Sequence, residues 1–143
     1  MHFTGTIWRP PYEADSALLQ VTAGCTHNRC RFCSLYDVPF SCSPTGEIEA
    51  DIEEIARFRP RAERVFITGA NPFGLANRQL APVLERVRER LPRVRSVGGF
   101  VRIGDLRHKS DDDLAAWARL GVDDLTIGVE TGYDPALAFM DKG

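Results

Sequence analysis

The stretch ALLQVTAGCTHNRCRFC, residues 17–33, decides how the whole chain is interpreted. Its first six residues are largely apolar, and Gly24 follows shortly after them, a pattern typical of a short buried strand. Three cysteines, Cys25, Cys30 and Cys33, come next in the spacing C-x4-C-x2-C. The sequence therefore predicts a strand that leads directly into one short loop carrying three thiols.

The composition excludes several classes of protein. The chain has 143 residues, a formal charge of −2, 43% hydrophobic and 27% charged residues, which is the balance of one globular domain rather than of a disordered chain. The near-neutral charge disfavours nucleic acid as a partner. No apolar run approaches the roughly 20 residues that span a bilayer, and Met1 to Pro11 lacks the features of a secretory signal. We therefore expect a cytoplasmic protein without disulfides, whose four cysteines are thiols or metal ligands.

Four strand–helix units are predicted along the chain. The strands are expected at 17–22, at 65–68, within 94–101 and at 124–129. The helices are expected from 43–47 to near Pro60, from Asn77 to Pro92, from Ser110 to Gly121, and from Asp134 onward. This alternation predicts an α/β fold with a parallel sheet and right-handed crossovers.

Two details of these helices are specific enough to test. Ser110 precedes three aspartates, which predicts a capped start for the third helix, and Pro82 predicts a kink near the start of the second. The buried side of the third helix is predicted to consist of Leu114, Trp117, Ala118 and Leu120.

The loops that follow the strands carry the candidate functional residues. Gly69-Ala70-Asn71 follows the second strand, Arg102 the third and Glu130 the fourth. Ligands of parallel α/β folds bind at the carboxyl ends of the strands. These loops and the cysteine loop are therefore expected to share one edge of the sheet.

The cysteine loop has two interpretations. Thiolates suit either zinc or an iron–sulfur cluster, and a structural zinc site normally needs a fourth protein ligand. The local candidates are His27, which is cramped by its closeness to Cys25, and Cys42, which follows in no familiar zinc-finger pattern. Three ligands with one open coordination position are the simpler interpretation, as in a [4Fe–4S] cluster with one free iron. A zinc-stabilised α/β binding module without catalysis is the alternative from another class.

Several features together resemble the radical S-adenosylmethionine (radical SAM) superfamily. They are the cysteine loop after the first strand, Phe32 just before the third cysteine, and the sequence IGVETG at 127–132. The lead-in RPPYEA at 9–14 resembles uncharacterised bacterial members. Two positions depart from the usual pattern. Four residues rather than three separate the first two cysteines, and TGANP at 68–72 stands where the family commonly has Gly-Gly-Glu.

The resemblance implies a fold and a division of the chain. The family core is a partial, six-stranded, TIM-like barrel, of which this chain would supply about four strands. Residues 1–16 would be an N-terminal lead-in and residues 17–143 a partial core domain, ending where relatives continue.

The resemblance also implies a chemistry. Cys25, Cys30 and Cys33 would hold a [4Fe–4S] cluster whose fourth iron binds S-adenosylmethionine. One electron would cleave the sulfonium to methionine and a 5′-deoxyadenosyl radical, which removes hydrogen from an unknown substrate. A truncated, cluster-binding but inactive remnant is a further alternative.

The same resemblance implies roles for other residues and for partners. Phe32 would lie against the adenine, and Glu130 would accept hydrogen bonds from the ribose hydroxyls. Gly69 and Thr131 are the other expected cofactor contacts. The expected electron donor is a one-electron reductant such as flavodoxin or ferredoxin, and neither the substrate nor a membrane partner is indicated.

Overall fold

The computed structural model describes residues 1–36 and 38–142. Its strands are β1 (Ala17–Gln20), β2 (Thr22–Ala23), β3 (Ser41–Cys42), β4 (Arg64–Thr68), β5 (Ser96–Val101) and β6 (Val122–Ile127). Its α-helices are α1 (Thr45–Phe58), α2 (Asn77–Arg90), α3 (Ile103–Leu106), α4 (Asp111–Arg119) and α5 (Asp134–Phe139), with 3-10 turns at Pro11–Glu13 and Pro72–Gly74. None of the described helices is both long and apolar enough to cross a membrane.

The main sheet is parallel and has the strand order β1-β4-β5-β6. Each crossover between neighbouring strands contains at least one helix, so the predicted α/β fold is confirmed. The first strand ends at Gln20, two residues earlier than predicted, because the chain then leaves the sheet. Thr22 and Ala23 pair instead with Cys42 and Ser41 in a short antiparallel ladder. The sequence did not predict this ladder, since two-residue strands carry no periodic pattern.

The hydrophobic core lies between one face of the main sheet and helices α1, α2 and α4. Leu19, Ile67 and Val97 face Ile52 of α1 and Leu84 of α2, and all five side chains are almost completely buried. Burying an aliphatic side chain of this size stabilises the fold by about 1.5–3 kcal/mol. This layer fixes the strand ends from which the functional loops extend.

Helix α4 packs through only part of its predicted side, since Trp117 and Leu120 lie against the core but Leu114 and Ala118 do not. Trp117 is buried, edge-on to Phe73 at 5.5 Å between ring centroids, and its indole N–H donates to Asn77 Oδ1 at 2.9 Å. Leu114 is 40% exposed and Ala118 is also exposed, so their predicted burial was wrong. The large indole takes the position nearest the core and turns Leu114 and Ala118 toward solvent.

Of the two predicted helix details, the capped start is confirmed and the kink at Pro82 stays a prediction. Ser110 accepts a hydrogen bond from the Asp113 backbone N–H, and the Asp113 carboxylate accepts one from the Ser110 backbone N–H, so the capped start is confirmed. Helix α2 runs from Asn77 to Arg90 in one piece with Pro82 inside it. Pro82 lies in the second turn of α2 and has no backbone N–H, so the Arg78 carbonyl lacks its usual hydrogen bond within the helix.

The lead-in begins at helix α1, where His2 binds Asp51, and then crosses the second face of the main sheet. The Thr4 backbone exchanges two hydrogen bonds with the side chain of Gln20, at 2.7 and 2.9 Å. The Tyr12 hydroxyl lies 2.9 Å from that of Thr126, and the wholly buried Glu13 binds the Arg64 guanidinium at 2.6 Å. The lead-in is therefore part of the packed fold.

Candidate functional site

The cysteine loop is closed at its base by the short ladder between β2 and β3. Gly24 stands at the start of the loop with φ +67°, a conformation that favours glycine. A Cβ at this position would collide with the carbonyl oxygens of Val38 and Pro39 on the returning chain. The close approach of these two segments explains why glycine precedes the first cysteine.

A polar cluster of Thr26, Asn71, Arg102 and Asp105, here called the loop anchor, ties the loop to the sheet. Asp105 Oδ2 accepts hydrogen bonds from Asn71 Nδ2 at 2.6 Å and from Thr26 Oγ1 at 3.2 Å. Arg102 donates to Thr26 Oγ1 at 2.7 Å and lies 3.3 Å from the same carboxylate oxygen. Because Thr26 is adjacent to Cys25, the anchor restrains the backbone beside the first cysteine.

A second set of contacts ties the loop to the end of α5. Nε2 of the His27 imidazole lies 2.5 Å from the Asp141 carbonyl oxygen. The His27 side chain is only 9% exposed. The backbone N–H of Arg31 donates to the Met140 carbonyl at 2.9 Å. His27 therefore has a loop-tethering role.

The three clustered cysteines open onto one pocket of about 290 Å³ at the carboxyl edge of the sheet. The strand ends supply Ala70, Val101, Arg102, Ile127 and Gly128, and other parts of the chain supply Trp8, Phe32, Leu35, Tyr36, Phe100, Thr126, Glu130 and Lys142. The prediction that the cysteine loop and the loops after the later strands share one edge is therefore confirmed. The lining combines thiols, aromatic rings and a few charged groups.

The electrostatics of the pocket centre on Tyr36 and Lys142. Burial, together with the neighbouring Cys25 and Cys33 thiols, raises the pKa of the Tyr36 phenol to about 12. Lys142 Nζ lies 3.0 Å from Glu130 Oε1 and 6.0 Å from the centre of the Phe32 ring. Lys142 thus lies between two predicted cofactor contacts.

Gly69 and Thr131 are not on the described lining of this pocket. Gly69, with φ +119°, is buried against Thr22, where any Cβ would collide with the Thr22 carbonyl oxygen. Thr131 Oγ1 accepts a hydrogen bond from the Tyr133 backbone N–H at 3.2 Å. Their roles as cofactor contacts stay predictions. Cys42 lies in the β2–β3 ladder as an exposed thiol and is not among the described residues of the pocket.

Sequence reasoning missed several residues of the site. Trp8, Tyr36 and Lys142 line the pocket, and Asp105 and Asn71 hold the loop. Asn71 was noted only as part of a strand end, and no local pattern singles out the other four. Except for Tyr36, which is only three residues from Cys33, they reach the site through long-range packing.

The chemical type of the three thiols matches an iron–sulfur cluster, whereas their present spacing does not yet bring them to one metal centre. Thiolates are the usual protein ligands of such clusters, and three thiols from one loop line the same pocket. Within residues 1–36 and 38–142, no group of three His, Cys, Asp or Glu side chains is close enough to hold a metal ion.

Comparison with known proteins gives the family. A sequence profile of the Radical SAM superfamily matches residues 19–143. The chain belongs to the radical SAM superfamily. Members of this superfamily use a [4Fe–4S] cluster and S-adenosylmethionine. A comparison with curated proteins gave no match.

Among solved structures, the fold of this chain is similar to that in the crystal structure of HydG, a maturase of the [FeFe]-hydrogenase. The TM-score is 0.60 at 15% sequence identity, over 87% of this chain and 27% of that one. The similarity confirms that the four-stranded sheet corresponds to part of a radical SAM barrel. The chain spans about a quarter of the HydG chain.

Proposed function

We propose that this chain is a radical SAM enzyme domain whose cluster is held by Cys25, Cys30 and Cys33. The bound [4Fe–4S] cluster and S-adenosylmethionine would supply a 5′-deoxyadenosyl radical for hydrogen abstraction from an unknown substrate. The observation that supports this proposal is the opening of all three thiols onto one pocket at the carboxyl edge of the sheet.

The chain's own residues would hold the loop that carries the three thiols. The Cys33 backbone N–H donates to the Cys30 carbonyl at 3.1 Å, which folds the second and third cysteines into one turn. The loop anchor fixes Thr26 beside the first cysteine. These contacts restrict the loop backbone and so lower the conformational entropy lost when the thiolates come together on one group.

Two side chains would orient the nucleoside part of the cofactor. Phe32 is 49% exposed, so its ring is free to lie against the adenine. Glu130 has oxygen acceptors at the pocket for the ribose hydroxyls, and Lys142 holds this carboxylate through a 3.0 Å ion pair. Backbone groups of Gly69 and Thr131 are further proposed contacts.

Two partners complete the proposal. The reaction needs a one-electron donor, for which flavodoxin or ferredoxin is proposed, and a substrate that supplies the hydrogen atom. Arg29 and Arg31 flank Cys30 and are exposed, so a cationic rim borders the thiols. Such a rim would favour approach of an acidic electron carrier.

Anaerobic reconstitution with iron and sulfide tests the proposal. We expect about four irons per chain and a reduced electron paramagnetic resonance signal that shifts when S-adenosylmethionine is added. Under reducing conditions, 5′-deoxyadenosine is the expected product. Cys42→Ser is the matched control because this thiol is not among the described residues of the pocket, and it should behave as the wild type.

The other outcomes separate the alternatives. A colourless protein with stoichiometric zinc would replace the enzyme with a zinc-stabilised binding module. A four-iron cluster whose signal does not respond to S-adenosylmethionine would indicate a cluster-binding but inactive remnant.

A further inference from the structure

Residues that precede the family match take part in the cysteine pocket. The match begins at residue 19, whereas Trp8 lies on the lining together with Cys25 and Cys33. The lead-in reaches this position by crossing the second face of the sheet, held through Gln20 and Thr126. Part of the pocket lining, at Trp8, therefore lies outside the residues that match the family profile.

Trp8 also connects the cysteine loop to the sheet. Its indole N–H donates to the Leu35 carbonyl at 3.0 Å, on the segment that returns from Cys33. Its own carbonyl accepts a hydrogen bond from Thr68 Oγ1 at 3.4 Å, at the end of β4. These contacts hold the indole beside the thiols, and the residue keeps 42% of its surface exposed, so ring surface remains for a ligand.

The chemistry of the pocket points to a flat ring joined to a hydroxyl-bearing group. Aromatic rings of Trp8, Phe32 and Phe100 share the lining with the Glu130 carboxylate. Purine bases stack on such rings, and hydroxyls donate to such carboxylates. We propose that Trp8 is a ligand-binding residue that contacts the purine ring of an adenosyl ligand. This inference rests on the proposed function, and it adds a contact from the lead-in to that site.

Variants of Trp8 test this inference by binding rather than by turnover. The probe is S-adenosylhomocysteine, which lacks the sulfonium, titrated by equilibrium dialysis into anaerobically reconstituted protein. Trp8→Leu removes the aromatic face, whereas Trp8→Phe keeps an aromatic ring, although a smaller one, and loses the hydrogen bond to Leu35. Tyr12→Phe is the matched control, since it perturbs the lead-in at its Thr126 contact and Tyr12 is not on the described pocket lining. Iron per chain and melting temperature are measured for every variant.

We expect Trp8→Leu to keep its iron and to weaken the binding of S-adenosylhomocysteine about tenfold, which is the scale of one base–aromatic stacking contact. Trp8→Phe and Tyr12→Phe should bind within about threefold of the wild type on the same scale. Binding by Trp8→Leu equal to that of the wild type would refute the role of Trp8 while leaving the proposed function intact. Iron loss in both Trp8 variants would instead show that Trp8 only supports the loop. A wild type that assembles no cluster would refute both proposals, and the iron count distinguishes this case.

Discussion

Replacing Asp105 with alanine removes the centre of the loop anchor. Its carboxylate oxygen accepts from Asn71 and Thr26 and pairs with Arg102, at 2.6, 3.2 and 3.3 Å. A hydrogen bond to a charged group contributes about 1.5–3 kcal/mol and a neutral one about 1 kcal/mol. Asp105 and Arg102 are partly exposed, at 22% and 17%, so solvent screens part of the ion pair. The expected loss of unfolding free energy is about 2–3 kcal/mol.

Urea unfolding of the metal-free protein measures this loss, and reconstitution measures its functional consequence. Asp105→Ala should take up less iron than the wild type, because Thr26, Asn71 and Arg102 lose the carboxylate that joins them and the segment beside Cys25 is held less firmly. Asp112→Ala is the matched control, since Asp112 is exposed at the start of α4. Hydrogen exchange of amides 24–34 should accelerate in the Asp105 variant alone. Equal stability, iron content and exchange in the two variants would refute the role of the anchor.

Three further predictions concern single side chains. Cys33→Ser should lower iron below about four per chain, whereas Cys42→Ser should not, as iron analysis after reconstitution will show. Burial raises the pKa of Glu13, but hydrogen bonds from Arg64 outweigh it and hold the pKa below the ordinary 4.5. The carboxylate therefore stabilises the fold fully above pH 4.5 and loses this effect as the pH falls toward the lowered pKa. Glu13→Gln should cost about 2–3 kcal/mol in urea unfolding at pH 7, and this cost should shrink as the pH is lowered below 4.5; a cost that does not change with pH would contradict the linkage. Absorbance titration at 295 nm should show a tyrosinate step near pH 12 that Tyr36→Phe abolishes, and an unchanged titration curve would contradict the assignment.

The parallel strands were predictable because their signal is local. The apolar runs at 65–68 and within 94–101 correspond to β4 and β5 with small shifts in their ends. The predicted fourth strand, 124–129, is shifted, since β6 spans Val122–Ile127. Strand ends depend on where neighbouring strands stop pairing, and no single segment carries that information.

The extent of the buried side of α4 was not predictable in the same way. Leu114 and Ala118 belong to the same apolar pattern as Trp117 and Leu120, yet they are exposed. Which members of the pattern are buried depends on the shape of the neighbouring surface, where Phe73 and Asn77 receive the Trp117 ring.

The local order of residues was enough to establish the α/β alternation and the three-thiol loop, because strand periodicity and cysteine spacing are properties of short segments. The composition of the pocket required the folded chain. Trp8 contacts Leu35 across 27 positions, and Asp105 contacts Thr26 across 79. Contacts over such separations form only when the sheet and its crossovers bring distant segments to one edge. The thiols were therefore evident from spacing alone, whereas the residues that hold and surround them became evident only from the packing.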